Sequence, residues 1–82
     1  MNKKYISKKQ IIKGILTTYS VKPADIARLA GLKNASSVYV VLNGHQASSK
    51  IRKSTIELLR FVNPDAAKKV EQLWPEGQRL AA

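Results

Sequence analysis

Apolar residues recur at intervals of three and four positions through nearly the whole of this 82-residue chain. This spacing places the apolar side chains of a helix on one face, whereas a half-buried strand requires strict alternation. The stripes are interrupted by residue types that cap or break helices, namely Ser7, Pro23, Asn34, Asn43, Gly44, Ser48 and Pro64. The sequence therefore predicts an all-α fold, a compact bundle of about five helices.

The caps also predict where each helix begins and ends. We expect helices from Ser7 to about Thr18, from Pro23 to Ala30, over residues 35–42, from Ser48 or Ser49 to Val62, and from Pro64 to about Trp74. The fourth helix is expected to bury a face made of Ile51, Thr55, Leu58, Leu59 and Val62. We expect residues 1–6 to form a flexible basic arm, residues 7–74 the domain, and residues 75–82 a flexible tail.

The charge is large and unevenly distributed. Fifteen Lys and Arg residues face five Asp and Glu residues, which gives a net charge of +10. Eleven of the basic residues precede Ser54, where Asp25 is the only acidic residue, and the remainder of the chain is neutral. A net charge confined to one part of a small domain predicts a positive face, for which a polyanion is the natural partner.

The residue inventory argues against an enzyme. The chain has no cysteine and only one histidine, His45, and its five carboxylates are scattered, so we expect no catalytic triad, metal site or cofactor. Nothing in the sequence indicates a small-molecule effector. No apolar run approaches the roughly 20 residues that a membrane span needs, and Lys13 and Gly14 interrupt the stretch that a signal peptide would require. The sequence thus predicts a small cytoplasmic domain.

The most informative stretch lies between Pro23 and Gly44 and reads PADIARLAGLKNASSVYVVLNG. Its small residue Ala27 suits the point where two helices cross at a steep angle. Gly31 stands where a tight turn needs a positive φ, and Val38 and Val41 are spaced to seat a second helix on the first. These features together are typical of a helix-turn-helix.

On these residues the chain resembles the lambda-repressor-like superfamily, which includes the Cro and repressor proteins of lambdoid phages. The Ser49-Lys50-Ile51-Arg52-Lys53 run is similar to the LacI-type headpiece, and the five helices with a Trp74-Pro75 end resemble the Ner-like regulators of transposable phages. The resemblance covers about Ile11 to Val62. It implies a sequence-specific transcriptional regulator of double-stranded DNA, a Cro-like or Ner-like repressor of phage or prophage origin acting at the bacterial nucleoid.

The chain departs from the family pattern at two places. The interval from Gly31 to Val38 is one residue longer than usual, from which we infer an insertion in Leu32-Lys33-Asn34. Lys22 precedes the second helix where the family has a capping Ser or Thr. The first departure shifts the match of individual residues by one position, and the second changes how that helix meets phosphate.

The resemblance implies that helix 35–42 enters the major groove of DNA. The expected base-reading residues are Asn34, Ala35, Ser36, Ser37, Tyr39 and Val40. The expected phosphate-binding residues are Lys22, Arg28, Lys33, Asn43, Gly44, His45, Ser48, Ser49, Lys50, Arg52 and Lys53. Lys3 and Lys4 would form an arm in the minor groove. Several of these residues have another interpretation: Asn34 as a helix cap, Tyr39 against the DNA backbone rather than a base, His45 as a bystander, and Lys3 and Lys4 as an unstructured solubilising tail.

Two other functions remain open on the sequence alone. The same module would serve an excisionase-like architectural factor, and a protein-interaction module would use the neutral C-terminal half. For self-association, we expect a monomer or weak dimer that pairs on DNA. Its contact would involve Val70, Leu73, Trp74 and Leu80, unless Val70, Leu73 and Trp74 instead close the core of the monomer.

Overall fold

We describe residues 7–80 in a computed structural model of the protein. They form five helices: α1 (Lys8–Thr18), α2 (Pro23–Leu29), α3 (Ser36–Leu42), α4 (Ser49–Val62) and α5 (Pro64–Leu73). No strand occurs within this range, so the all-α prediction is confirmed. Lys3 and Lys4, which the sequence assigns to a basic arm, lie outside the described residues.

Three of the helices begin at side-chain caps, two of which, Ser7 and Ser48, the sequence predicts. The Ser7 hydroxyl accepts a 3.3 Å hydrogen bond from the Gln10 amide, and Gln10 Oε1 accepts the Ser7 amide in return. The Ser48 hydroxyl accepts the amide of Ile51 at 3.2 Å. Asn63 Oδ1 accepts the amides of the first turn of α5, where Pro64 occupies the first helical position. Each cap satisfies amides that a helix cannot pair internally.

The third helix begins later than predicted. Ala35 occupies its cap position and Ser36 is its first residue, whereas the sequence predicts a cap at Asn34. Asn34 Oδ1 nevertheless accepts the Ser36 amide at 2.9 Å, which is a turn of the Asx kind. The side chain still satisfies a first-turn amide, but it does so from one position further out. The helix is therefore one residue shorter than expected.

The core lies between all five helices. α2 packs against α3 and α4, α4 packs against α5, and α5 also contacts α1. The most deeply buried side chains are Ile12, Ile26, Val38, Val41, Thr55, Leu59, Val70 and Trp74. The buried Thr55 hydroxyl donates to the carbonyl oxygen of Ile51 at 2.8 Å, so its polarity is satisfied within α4.

The inner face of α4 differs from the prediction at four positions. Val62 is half exposed and Leu58 is half-buried rather than buried, and Ser54 and Ile56 are buried although the sequence did not select them. The helix is covered by α2 on one side and by α5 on another. The buried surface of α4 is therefore wider than the single stripe that periodicity predicts. This surface ends at Leu59, before the last residues of the helix.

The segment after α5 returns to the domain. Leu80 is 3% exposed and belongs to the core cluster, although the sequence predicts a flexible tail over residues 75–82. The Trp74 indole donates to the carbonyl oxygen of Gln78 at 3.2 Å, which holds the returning chain. Because Val70, Trp74 and Leu80 are all buried, they close the core of the monomer and do not form the exposed C-terminal patch considered above.

Candidate nucleic-acid interface

A turn between α2 and α3 fixes the position of the third helix. Gly31 adopts a φ of 77°, the conformation predicted from its place after the second helix. The amide of Leu32 donates to the carbonyl oxygen of Ala27 at 2.8 Å, and Ala27 is buried where the helices meet. Leu32 itself packs partly against the core. The backbone bonds and the buried apolar contacts together hold α3 firmly on α2.

The two faces of α3 differ sharply in burial. Val38, Val41 and Leu42 point into the core and are nearly inaccessible, as the sequence predicts for the two valines. Four of the expected base-reading residues lie within α3 and are exposed, namely Ser36, Ser37, Tyr39 and Val40. The Tyr39 side chain is 56% exposed. The helix thus presents two hydroxyls, a phenol and a branched aliphatic side chain on one outward surface, which we call the α3 face.

The remaining two expected base-reading residues are placed differently. Ala35 is half-buried and packs against the core, because it precedes the first turn of α3 on the inner side. Asn34 is exposed, but its Oδ1 accepts the amide of Ser36. An Asn side chain reads adenine through its oxygen and its nitrogen together. The structure therefore favours the capping alternative for Asn34.

Several expected phosphate-binding side chains lie in solvent around α3. These exposed residues are Lys22 before α2, Lys33 in the turn, His45 after α3, and Ser49, Lys50 and Lys53 in the first half of α4. Ser48 is half-buried, and its hydroxyl is used by the cap of α4. An ammonium group on a long exposed stem can reach a phosphate without disturbing the fold.

Two of the expected phosphate-binding arginines have partners within the protein. Arg28 pairs with Asp25 on the same helix, with 3.3 Å between Nη1 and Oδ1. Arg52 Nε donates to the carbonyl oxygen of Trp74 at 2.6 Å and is half-buried. The Arg28 pair has the i,i+3 spacing of a helical ion pair, which sequence reasoning did not take into account, whereas the partner of Arg52 is not visible from charge and spacing. Arg52 holds α4 to the end of α5.

The backbone amides after α3 do not fit the predicted phosphate contact. The Asn43 amide donates to the carbonyl oxygen of Tyr39 at 2.9 Å, and the Gly44 amide donates to that of Val41 at 3.0 Å. The His45 amide is bonded in the same way to Val40. These bonds complete the C-terminal end of the helix. The amides of Asn43 and Gly44 therefore serve the helix rather than an anion.

Two lysines that the sequence did not assign to the site reach it from α1. Lys9 Nζ donates to the carbonyl oxygen of Asn43 at 3.3 Å, and Lys13 Nζ donates to Asn43 Oδ1. Positive groups stabilise the C-terminal end of a helix, where the carbonyl groups carry partial negative charge. Their sequence signal is the basic surface opposite the apolar stripe of α1. This pattern predicts that Lys9 and Lys13 lie on the outer side of α1, but it does not predict which helix their side chains approach.

A polar groove lies beside these lysines at the C-terminal end of α3. It has a volume of about 640 Å³ and is lined by Lys9, Asn43, Gly44, His45, Gly77, Gln78, Arg79 and Leu80. Arg79 comes to this position because the chain after α5 folds back onto the domain. The cationic residues around α3 therefore come from α1, the turn, α4 and the C-terminal segment.

Residues 7–80 contain neither a candidate metal site nor a helix that could span a membrane. No group of three or more His, Cys, Asp or Glu side chains is arranged to hold a metal ion in this part of the chain. Within the same residues, no helix is long and apolar enough to cross a membrane. No protein family, curated protein or solved structure matches the chain.

Proposed function

We propose that this chain is a sequence-specific transcriptional regulator of double-stranded DNA, a Cro-like or Ner-like repressor that reads the major groove with α3. The observation that carries the proposal is the α3 face. Its Ser36, Ser37, Tyr39 and Val40 side chains are exposed, while the opposite side of the same helix is fixed in the core. An outward surface on a rigidly held helix is what base reading requires.

The size and chemistry of the α3 face suit a major groove. An α-helix with its side chains is roughly 10–12 Å in diameter, which fits the width of the major groove, about 12 Å. Serine hydroxyls bond to either kind of base edge, and an aliphatic side chain packs against a thymine methyl group. An exposed Val40 gains nothing from water. Contact with a thymine methyl would explain its position on the α3 face.

The electrostatics support the same function. The net charge of +10 is contributed by residues before Ser54, and the exposed cations Lys33, Lys50 and Lys53 lie on the turn and helix that flank α3. Such groups bind phosphates and orient the domain without reading sequence. The proposal assigns sequence reading to the α3 face and positioning to the lysines around it. Action at the bacterial nucleoid and a phage or prophage origin belong to the same proposal.

Selection of bound duplexes from a random pool tests the proposal, with a DNase footprint on the selected site. We expect enrichment of one short motif, arranged with two-fold symmetry about one helical turn apart. Val40→Ala should change the selected bases, whereas Gln72→Ala, an exposed change on α5, should not. A pool that stays random after selection would refute sequence-specific binding. A footprint extended over many helical turns would instead identify an architectural factor.

A further inference from the structure

An apolar groove lies between α2 and α4, and Arg28 is the one expected phosphate-binding residue in its lining. It has a volume of about 450 Å³, and its lining includes Tyr19, Val21, Leu29, Leu58, Phe61 and Val62. Phe61 is 92% exposed, and Leu29 and Val62 are each about half exposed. Single exposed apolar residues are ordinary, but a groove with three of them together marks an interaction surface. We call this surface the α2–α4 face.

The fold does not need the exposed apolar residues of this face, Leu29, Phe61 and Val62. α4 already buries Ile51, Thr55, Ile56 and Leu59, and α5 closes the other side of the core. Phe61 follows this buried set near the end of the helix and leaves almost all of its ring in water. A polar side chain at that position would preserve every core contact.

We propose that the α2–α4 face is where two copies of this chain associate, in a two-fold symmetric dimer. In such an interface the same patch must be complementary to itself, because each surface meets its own copy. The face carries both parts of such a fit. Phe61 protrudes from α4, and the groove containing Leu29 and Leu58 lies beside it. The Phe61 ring of each copy would enter the groove of the other.

The charges on and around this face make it a more favourable place for two copies to meet than other regions of the surface. A chain of net charge +10 repels itself wherever its basic residues are uncompensated. Here Asp25 pairs with Arg28, and Glu57 stands one helical turn before Phe61. Arg60, the residue before Phe61, pairs with Glu71 at 3.8 Å. Three of the five acidic residues of the chain thus lie on this face or beside it, so two copies can approach here with little repulsion.

The size of the face predicts a weak dimer. An aromatic side chain buries roughly 150–250 Å² when fully covered, and only two other well-exposed apolar side chains, Leu29 and Val62, accompany Phe61 on each copy. The interface would therefore lie at or below the low end of specific interfaces, about 1,200 Å² in total. The low end of that range is where weak, transient associations are found, so we expect a dissociation constant near or above the micromolar range. The dimer would form at high protein concentration, or when DNA brings two copies together.

Sedimentation equilibrium of the full chain without DNA, up to roughly 100 μM, tests this proposal. We expect concentration-dependent dimerisation of the natural chain. Phe61→Gln should raise the dissociation constant at least tenfold. Tyr39→Gln is the matched control, because it removes another well-exposed aromatic residue, one that lies on the α3 face, and it should leave the dissociation constant unchanged. Circular dichroism of each variant confirms that the helices are retained.

The possible results are distinct. A natural chain that stays monomeric at every protein concentration tested would overturn the proposal. The α2–α4 face would then be a binding surface for a different polypeptide. A dimer weakened equally by both variants, or by neither, would overturn it as well. The measurement contains no DNA, so its outcome is independent of the proposed transcriptional function.

Discussion

Arg52 Nε donates a 2.6 Å hydrogen bond to the carbonyl oxygen of Trp74, which joins the first turn of α4 to the residue that ends α5. The carbonyl lies at a helix terminus, where it has no partner within the helix. Trp74 is itself buried, so the bond holds the point at which the chain turns back toward α3. Arg52 belongs to a basic run that the sequence assigns to phosphate binding, but in the structure its side chain stabilises the fold.

Arg52 and Lys53 should separate stability from DNA binding, although they are neighbours. Arg52→Ala removes a charge-assisted hydrogen bond to a partly buried carbonyl and should lower the free energy of unfolding by about 1.5–3 kcal/mol. Lys53→Ala changes an exposed side chain and should lower it by less than about 0.5 kcal/mol. Urea denaturation followed by circular dichroism measures both. Equal losses of stability would contradict the structural role assigned to Arg52.

Gly44 and Gly31 provide a second matched pair. Both have a positive φ, 84° and 77°, which costs a residue with a side chain about 1–2 kcal/mol. A Cβ at Gly44 would also clash with the backbone carbonyl of Leu80, whereas a Cβ at Gly31 would enter open space. Gly44→Ala should therefore be clearly more destabilising than Gly31→Ala in thermal unfolding. Similar melting temperatures would show that the chain around Leu80 moves aside without cost.

Leu80 tests the packing of the C-terminal segment directly. Its side chain is 3% exposed, so Leu80→Ala should lower the free energy of unfolding by about 2–4 kcal/mol. Leu29→Ala makes the same change at a half-exposed position and should cost less than about 1 kcal/mol. Urea denaturation compares the two variants. A Leu80→Ala variant as stable as the natural chain would support the flexible tail that the sequence predicts.

Local signals account for what the sequence predicted well. The pair Ser7 and Gln10 forms a cap within one helical turn, and Ser48 caps α4 in the same way. The outward surface of α3 was also predictable, because the spacing of Val38 and Val41 determines which residues remain outside. Each of these inferences depends on residues close together in the chain.

Contacts between distant segments account for what the sequence missed. No periodic pattern predicts that Leu80 packs in the core beside Gly44, because the segment after Trp74 is not helical. The same holds for Lys9, whose ammonium group approaches the end of α3 from another helix. Charge alone also cannot show that Arg52 has a partner within the protein. Sequence analysis therefore identified the outward surface of α3 better than the positions of the charged groups around it.

The salt dependence of DNA binding should distinguish phosphate contacts from a general positive charge. If about six phosphates are neutralised, the logarithm of the association constant should fall against the logarithm of salt concentration with a slope near −5. Lys50→Ala removes one proposed contact and should reduce the magnitude of that slope by about 0.9 on every DNA sequence. Lys68→Ala removes the same charge from an exposed position on α5 and should leave the slope nearly unchanged. Fluorescence anisotropy at several salt concentrations measures each slope, and equal reductions for the two variants would mean that net charge, not a contact at Lys50, governs binding.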